Sequence, residues 1–305
     1  MKNNPYKILV ALCILTMFIV VGVTATQFSN YRQESNQFAT QIQNNQALQI
    51  QRIARDVTTL LLDTKTFDAQ TIYVYDLVNS QVIFEKNSEV PRNLASFAKI
   101  ILARMVLNTP LVDTDVCITE DALDAINDQG LNIGECYPTP EAIKAMLVSS
   151  SNDLATALGS QAAESGIFLD QYLASQNIDM IIYDPSGYDF GQQDQASHGY
   201  AHDVLMSAYE ILVENPEIAY ATTQERYVLG EIVLQHTYPN VENIPGLRFA
   251  KTGYTALAGG NMMAILEPIP GSFIGIVVMQ SGFDTRFHDF ESIATSVWSA
   301  YSITR

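Results

Sequence analysis

The sequence predicts an α+β fold: one antiparallel sheet flanked by helices, with an inserted helical lobe, preceded by an N-terminal transmembrane helix. Two observations predict the sheet and lobe. Strand-like apolar stretches occur at residues 71–86 and return only after residue 247, whereas the residues between them carry helix-like patterns. Strands at both ends of a helical middle favour a single sheet built from distant segments. A third observation, an uncharged apolar run near the N-terminus, predicts the membrane helix.

The N-terminal run spans residues 8–25 and follows Lys2 and Lys7. Eighteen uncharged residues at ~1.5 Å each are just long enough to cross a hydrocarbon core, and the preceding lysines favour a cytoplasmic N-terminus. We therefore interpret residues 1–26 as a membrane anchor, with the rest of the chain exported. A cleaved signal peptide is the alternative, because Val23-Thr24-Ala25 ends in small residues, and the protein would then be secreted.

Residues 27–65 are predicted to form a helical stalk, and residues 66–305 the folded domain. The stalk is rich in Gln and Asn, but apolar residues recur at helical spacing from Ile50 to Leu61. The domain begins with a predicted β-hairpin, strands 71–76 and 81–86. Helices are predicted at 96–108, 120–127, 139–163, 166–175 and 201–213, followed by strands at 247–253, 261–268 and 272–282 and a terminal helix from about 287 to 301.

Composition bounds the classes of function. The 305 residues are 48% apolar, which is ample for a buried core. Sixteen Lys and Arg against 33 Asp and Glu give a formal charge of −17, which argues against nucleic-acid binding and against a basic surface lying on anionic lipid. Cys117 and Cys136 are the only cysteines in the exported part, and either one disulfide or two separate buried thiols fits that compartment.

Three short motifs carry the chemistry. Ser96 and Lys99 open an apolar helix at a spacing of three, which places a hydroxyl and an amine on one helical face. Ser150-Ser151-Asn152 follows an apolar helix, and Lys251-Thr252-Gly253 ends a strand. Each motif alone is weak evidence. Their order, S-x-x-K, S-x-N and K-T-G, is typical of class A β-lactamases and penicillin-binding proteins.

The resemblance extends beyond the motifs. The segments ITEDALDAINDQGLNIGECYPTPEAIKAMLVSSSNDLATALG (118–159), DPSGYDF (184–190) and AKTGYTALAGGNMMAI (250–265) resemble low-molecular-weight penicillin-binding proteins, the serine-type D-alanyl-D-alanine carboxypeptidases. The similarity covers roughly residues 70–303. It implies a DD-peptidase/β-lactamase-like fold and a serine acyl-transferase on the bacterial membrane, with peptidoglycan stem peptides as substrates and β-lactam antibiotics as acylating inhibitors. Neither a cofactor nor a metal is expected.

The resemblance also implies a role for each motif residue. A serine hydroxyl needs a nearby base, and a lysine can serve once burial beside another cation lowers its pKa. Ser96 would attack the carbonyl between two D-alanines, Lys99 would take its proton, and Ser150 would relay a proton to the leaving amine. Four further residues are expected to act on the substrate. Asn152 would hold both the substrate and Lys99 in place, whereas Lys251 and Thr252 would bind the terminal carboxylate. Gly253 would let the substrate backbone approach the strand edge.

The expected oxyanion hole consists of the backbone N–H groups of Ser96 and Tyr254. Three features depart from the family pattern: Ala98 precedes the motif lysine where threonine is usual, Ser151 replaces the usual glycine, and the chain ends soon after the terminal helix. Many relatives have a β-rich C-terminal domain and an amphipathic anchor there, so attachment is expected through the N-terminal segment.

Alternative functions differ in what they require of the sequence. A class A β-lactamase needs a glutamate that directs water, and Glu164 is too close to Asn152 to fill that role. A zinc peptidase is suggested by His198 and His202, but Gly199 stands where H-E-x-x-H needs its glutamate. A D,D-endopeptidase would use the same groups as a carboxypeptidase, and a membrane-tethered binding module would lack turnover. The similarity in residues 118–159 favours the carboxypeptidase over the endopeptidase, and the intact motif residues argue against a binding module, but the sequence excludes neither alternative.

Overall fold

The computed structural model describes residues 32–33, 36–37, 40–41, 48–123 and 129–303. The chain divides into two compact units, residues 1–53 and 54–305. The domain boundaries predicted after residues 26 and 65 stay predictions. The predicted membrane segment, residues 1–26, lies outside the described residues. Within the described ranges, none of the helices combines the length and the apolar character that crossing a membrane requires.

The centre of the second unit is a five-stranded antiparallel sheet in the order β10-β11-β12-β1-β2. Strands β1 and β2 form the predicted hairpin, and β1 pairs with β12 from the other end of the domain. The sheet of distant segments is therefore confirmed. Its strands are β1 (Thr71–Asp76), β2 (Gln81–Lys86), β10 (Leu247–Thr255), β11 (Gly259–Ile269) and β12 (Ser272–Ser281).

Helices cover both faces of this sheet. Side chains on one strand alternate between the faces, so Ile72 and Val74 enter one core while Tyr73 enters the other. The first core lies under residues 54–63 of helix α1 (48–63) and under helix α8 (Thr285–Ile303), where Leu62 and Phe290 are fully buried. α8 agrees with the predicted terminal helix.

The helical lobe covers the other face, as the sequence predicts. Its helices are α2 (Ala98–Leu107), α3 (Thr139–Ser149), α4 (Asn152–Glu164), α5 (Leu169–Ser175), α6 (Ala201–Glu214) and α7 (Pro216–Ala221). Two predicted helices differ from the observed ones. In the described part of the helix expected at 120–127 there is a 3₁₀ turn, Glu120–Ala122, and residues 124–128 lie outside the described ranges. The helix expected at 139–163 breaks at Ser150, which adopts a left-handed conformation with φ of 60°.

The remaining short strands form three small sheets in the described part of the chain. β3 (Arg92–Asn93), β6 (Met180–Ile181) and β7 (His198–Gly199) form one small sheet, and β8 (Arg226–Leu229) pairs with β9 (Ile232–Gln235). β4 (Asp115–Cys117) pairs with β5 (Cys136–Pro138), so that Cys117 lies opposite Cys136. The two cysteines form a disulfide. Of the two arrangements that the sequence allowed, the pairing is therefore the one observed.

Candidate active site

Ser96 lies in a 3₁₀ turn, Ala95–Phe97, that leads directly into α2. The residue before it, Ala95, is buried and has a φ of 47°, a conformation that costs free energy for a residue with a side chain. This strained turn leaves Ser96 partly exposed while Phe97 is fully buried beneath it. The Ser96 side chain is therefore accessible, while the buried residues on either side of it, Ala95 and Phe97, fix the position of the turn.

Lys99 is one helical turn beyond Ser96 and is completely buried. Its Nζ lies 3.1 Å from the Oγ of Ser96, 2.8 Å from the Oδ1 of Asn152 and 2.6 Å from the backbone oxygen of Ser186. The amide and carbonyl oxygens can only accept hydrogen bonds. In the neutral amine, those two acceptors take both N–H groups, so the lone pair is left for the hydroxyl proton of Ser96.

Ser150 and Asn152 reach the cleft because the helix breaks between them. Ser150 ends α3 in the left-handed conformation, and Ser151 then caps α4 by accepting a hydrogen bond from the backbone N–H of Leu154 at 3.2 Å. A serine is well suited to the position where relatives have glycine, since Ser151 has a φ of −57° and its hydroxyl is a preferred N-cap.

Lys251 lies on β10, the edge strand of the sheet, and is also completely buried. It donates hydrogen bonds to the Oγ of Ser150 at 2.8 Å and to the backbone oxygen of Thr252 at 2.7 Å. Burial, followed by the charges of Lys99 and Arg286, holds the pKa of Lys251 well below its ordinary value. Such a lysine gains most from an anion placed beside it.

Gly253 has a structural reason besides the predicted approach of substrate. A Cβ at this position would lie 3.2 Å from the backbone nitrogen of Ser96 and 3.2 Å from the Cβ of Ala95. The edge strand therefore packs directly against the nucleophile turn. Tyr254 is the next residue on this strand, and its part in an oxyanion hole with Ser96 stays a prediction.

The structure thus brings all eight predicted site residues to one cleft between β10, α2 and the α3–α4 break, although their functional roles stay predictions. The two histidines of the zinc alternative have other contacts: the Nδ1 of His198 lies 3.0 Å from the backbone oxygen of Ala196, and the ring of His202 packs edge-on against Tyr73 and Tyr75. Glu164, considered for the β-lactamase alternative, is exposed at the end of α4.

Comparison with known proteins decides the family. The peptidase family S11 model, described as D-alanyl-D-alanine carboxypeptidase, matches residues 56–281. The chain belongs to the D-alanyl-D-alanine carboxypeptidase family. Members are serine peptidases, so the protein is a hydrolase of that class, and the resemblance read from the sequence is confirmed.

Individual relatives of this carboxypeptidase are distant. D-alanyl-D-alanine carboxypeptidase DacB2 of Mycobacterium tuberculosis is 27% identical over 199 residues, which are 62% of this chain and 67% of the relative. Penicillin-binding protein D2 of Listeria monocytogenes, solved with ampicillin bound, superposes with a TM-score of 0.66 at 20% identity, over 76% of this chain and 98% of that one. A D-alanyl-D-alanine carboxypeptidase from M. tuberculosis H37Rv gives 0.66 at 21% identity, over 79% and 93%. These structures share the fold.

Sequence reasoning missed several residues that shape the active site of this enzyme. Gly187 is the most constrained of them, since a Cβ there would lie 1.8 Å from the backbone oxygen of Ala95. Asn261 is buried on β11 and donates hydrogen bonds to the backbone oxygens of Asn93 and Leu94, both at 3.0 Å. The Oγ1 of Thr237 lies 2.5 Å from that of Thr252.

Signals for these residues are faint in a single sequence. Asn261 is a polar residue at the start of the apolar stretch NMMAIL, and Gly187 lies in the DPSGYDF segment. Thr237 has no local signal at all, because its contact with Thr252 depends on the fold alone.

Proposed function

We propose that this enzyme removes the terminal D-alanine from peptidoglycan stem peptides through an acyl-enzyme on Ser96. The observation that carries the proposal is the position of the Lys99 nitrogen, 3.1 Å from the Oγ of Ser96, with two other oxygens accepting its N–H groups. A neutral Lys99 then takes the proton as Ser96 attacks the carbonyl between the two D-alanines.

The negative charge that develops on the carbonyl oxygen is stabilised by the backbone N–H groups of Ser96 and Tyr254. Loss of one such donor typically costs ~2.7–4 kcal/mol of transition-state stabilisation. When the intermediate collapses, the C–N bond breaks and the leaving D-alanine amine receives a proton through Ser150, whose Oγ accepts a hydrogen bond from Lys251. Water then hydrolyses the ester and restores the free Ser96 hydroxyl.

Recognition of the substrate falls to the edge strand. The terminal carboxylate binds at Lys251 and Thr252. It supplies a counter-charge for the buried ammonium of Lys251 and accepts a hydrogen bond from the hydroxyl of Thr252, which lies beside that of Thr237. β-Lactam antibiotics present a carboxylate and a strained amide to the same groups, so they acylate Ser96. Penicillin-binding protein D2, which shares the fold, has been solved with ampicillin bound.

The proposed location is the outer face of a bacterial membrane, with residues 1–26 as the anchor. The apolar run and its preceding lysines support this location. The Cys117–Cys136 disulfide is a second support, since disulfides persist in oxidising compartments. Membrane fractionation of the full-length protein, with the 8–25 segment deleted as the control, tests the anchor.

The deciding experiment is the intact mass of the full-length protein after incubation with benzylpenicillin. We expect one covalent adduct on the wild type and none on Ser96→Ala. In parallel, D-alanine release from a D-Ala-D-Ala peptide is measured. An adduct without release of D-alanine from the free peptide, but with cleavage of cross-linked peptides, favours the endopeptidase. The absence of any adduct on folded wild-type protein refutes the proposal in favour of a binding module.

A further inference from the structure

A cavity beside α8 carries side chains that the proposed acylation chemistry does not use. It lies between α8 and residues 238–245 and has a volume of about 790 Å³. The cavity is on the face of the sheet opposite the helical lobe, where α8 packs. Sites of small ligands usually measure ~300–1,000 Å³. This cavity, which we call the α8 groove, is therefore large enough for a ligand of more than one ring.

The α8 groove has an apolar floor and a polar rim. Its buried lining residues include Tyr238, Phe290 and Ala294. A ligand that fits must bury an apolar face against this floor and offer hydrogen-bonding groups at its edges. The exposed lining residues are mainly polar, namely Asn240, Asn243, Glu291, Thr295, Ser299 and Ser302.

Trp298 gives the groove an aromatic wall. It lies three residues after Thr295 and seven after Glu291, spacings that place the three side chains on one face of α8. A Cβ on Gly246 would lie 2.8 Å from the Cζ2 of Trp298, so the half-buried indole packs directly on the backbone of the facing loop. A ring held in this way loses little conformational entropy when a ligand binds to it.

The charges of the lining residues argue against an anion or a metal ion as the ligand. Among the described residues that line the groove, none is Lys, Arg or His, and only Glu291 is acidic. An anion would find no counter-charge, and one carboxylate supplies too few oxygens for a divalent cation. The Tyr238 hydroxyl donates to the Oε1 of Glu291 at 2.5 Å, and the Oε2 atom accepts no hydrogen bond from the described residues. That oxygen is therefore available to a hydroxyl or amide donor of a ligand.

The shape of the surface favours an elongated ligand. A second cavity, of about 510 Å³, also has Ile244 in its wall, and its lining includes the polar residues Thr223, Gln224 and Glu242. The two cavities therefore adjoin at the loop around residues 241–246. A linear ligand can occupy both cavities, whereas a compact one can fill only the first.

We propose that the α8 groove binds a neutral oligosaccharide of N-acetylated amino sugars. A sugar ring has an apolar C–H face, which suits the floor and the indole of Trp298, and hydroxyl edges, which suit the rim. The side-chain amides of Asn240 and Asn243 both donate and accept, as an acetamido group requires. The choice of amino sugars rests on the proposed function, because peptidoglycan stem peptides are attached to a glycan of this class. Binding of the glycan holds the enzyme on the polymer and leaves the Ser96 cleft free for the peptide.

Tryptophan fluorescence tests this site directly, because the chain contains a single tryptophan and it lines the groove. The probe is chitotetraose, a linear tetramer of N-acetylglucosamine, titrated into the full-length protein. We expect a saturable change of emission with a Kd of about 1 mM or tighter. Cellotetraose, which lacks the acetamido groups, should bind about tenfold more weakly, as expected for the loss of one or two hydrogen bonds. Equal affinity for the two tetramers would overturn the assignment to amino sugars.

Two variants test the lining while Trp298 stays in place as the reporter. Asn243→Ala removes an exposed amide, and Glu291→Ala removes the available carboxylate oxygen. Each should weaken chitotetraose binding by about five- to tenfold. Glu164→Ala, which removes an exposed glutamate at the end of α4, is the matched control and keeps the wild-type Kd. If Asn243→Ala and Glu291→Ala both fold, as circular dichroism shows, and bind like the wild type, the groove is not the saccharide site.

A second measurement connects the groove to the polymer. D-alanine release is compared for a free D-Ala-D-Ala peptide and for purified peptidoglycan. Glu291→Ala should reduce release from peptidoglycan by about fivefold or more, because the second point of attachment is lost, and leave release from the free peptide unchanged. An equal loss on both substrates would refute a role in holding the polymer.

The outcomes separate this inference from the proposed function. If chitotetraose produces neither a change of emission nor a heat of binding in calorimetry, the saccharide site is refuted whatever the catalytic result. If the protein binds chitotetraose but neither releases D-alanine nor forms a penicillin adduct, the proposed function is refuted and the saccharide site stands.

Discussion

Replacement of Asn261 by leucine tests how the nucleophile is held. Asn261 is completely buried; its Nδ2 donates to the backbone oxygens of Asn93 and Leu94, and its Oδ1 accepts from the backbone N–H of Gln280 at 2.9 Å. It therefore joins β12 and β11 to the segment just before Ala95. Leucine has a similar size but makes none of these hydrogen bonds, so Asn261→Leu removes the connection without a large change in volume.

The expected loss of stability follows from the groups left without a partner. A buried polar group that loses its hydrogen bond costs ~1–3 kcal/mol. Three backbone groups lose their partner. The hydrogen bond to the Leu94 carbonyl is buried, and those to the Asn93 carbonyl and from the Gln280 N–H are partly buried. We therefore expect the free energy of unfolding to fall by about 3–5 kcal/mol.

A second effect concerns the rate of acylation. Ala95 keeps its left-handed φ of 47° only because the surrounding contacts fix it, and Ser96 follows directly. Loss of the Asn261 hydrogen bonds lets this turn relax, and a displacement of about 1 Å at a reacting group lowers a rate by roughly 10²-fold. We expect benzylpenicillin to acylate Asn261→Leu about 10 to 100 times more slowly than the wild type.

Urea denaturation measures the loss of stability. The rate of acylation is measured from intact mass against time, without urea, under conditions in which circular dichroism shows that the variant is folded. Asn132→Leu is the control, because Asn132 is exposed and, among the described residues, its side chain hydrogen-bonds to nearby Glu135. It is expected to change the free energy of unfolding by less than ~0.5 kcal/mol. If folded Asn261→Leu is acylated at the wild-type rate, Asn261 does not position Ser96.

Three further predictions concern the residues around the site. Gly187→Ala places a Cβ 1.8 Å from the backbone oxygen of Ala95 at a φ of 77°, and it should lower the free energy of unfolding by about 3 kcal/mol or more. The control Gly191→Ala lies in the same loop with nothing within 4 Å of its Cβ, and it should cost about 1 kcal/mol. Equal urea midpoints for the two variants would contradict the steric argument. Serine at both Cys117 and Cys136 should cost about 3 kcal/mol for a loop of this length, which an unchanged melting temperature would refute. Burial, and then the charge of Lys251, lower the pKa of His236 to about 4, and the backbone N–H of Tyr238 donates to its Nδ1. The folded protein therefore resists protonation of His236, so its stability is complete above the ordinary pKa near 6.5 and falls by about 3 kcal/mol as the pH drops towards 4. Denaturation at pH 7 and pH 4.5 should show a smaller loss for His236→Gln, and an equal loss would exclude His236 as the cause.

The parts of the site that the sequence predicts are those fixed by local geometry. Ser96 and Lys99 are one helical turn apart, so their contact follows from the helix alone. The strand that carries Lys251-Thr252-Gly253 could be predicted from its apolar sequence, although β10 continues two residues beyond the predicted end, to Thr255. The strands and the flanking helices could be predicted from hydrophobic periodicity, because the apolar residues that recur along each element are those buried in the two cores.

The parts that the sequence does not predict depend on long-range contacts or on a single backbone angle. An apolar pattern continues through residues 139–163, so no periodicity reveals that Ser150 turns left-handed and separates α3 from α4. Without that break, Ser150 and Asn152 would lie on a continuous helix, and Lys251 and Lys99 would lose their partners. Gly187 and Asn261 act through the backbone of a segment some 90 or more residues earlier in the chain, which no local pattern encodes.

Net charge gave the least information about the site, for a physical reason. The chain carries −17 overall, yet three basic side chains, Lys99, Lys251 and Arg286, are buried around the cleft. Burial is the main cause that lowers the pKa of Lys251 and the pKa of Arg286, and repulsion from the charges of Lys99 and Arg286 lowers the pKa of Lys251 further. A neutral Lys99 would relieve part of this repulsion, and the proposed proton transfer from Ser96 requires that form. A substrate carboxylate at its proposed place beside Lys251 would relieve more of it, so the buried positive charge favours both a neutral Lys99 and the binding of a peptide with a free carboxyl end.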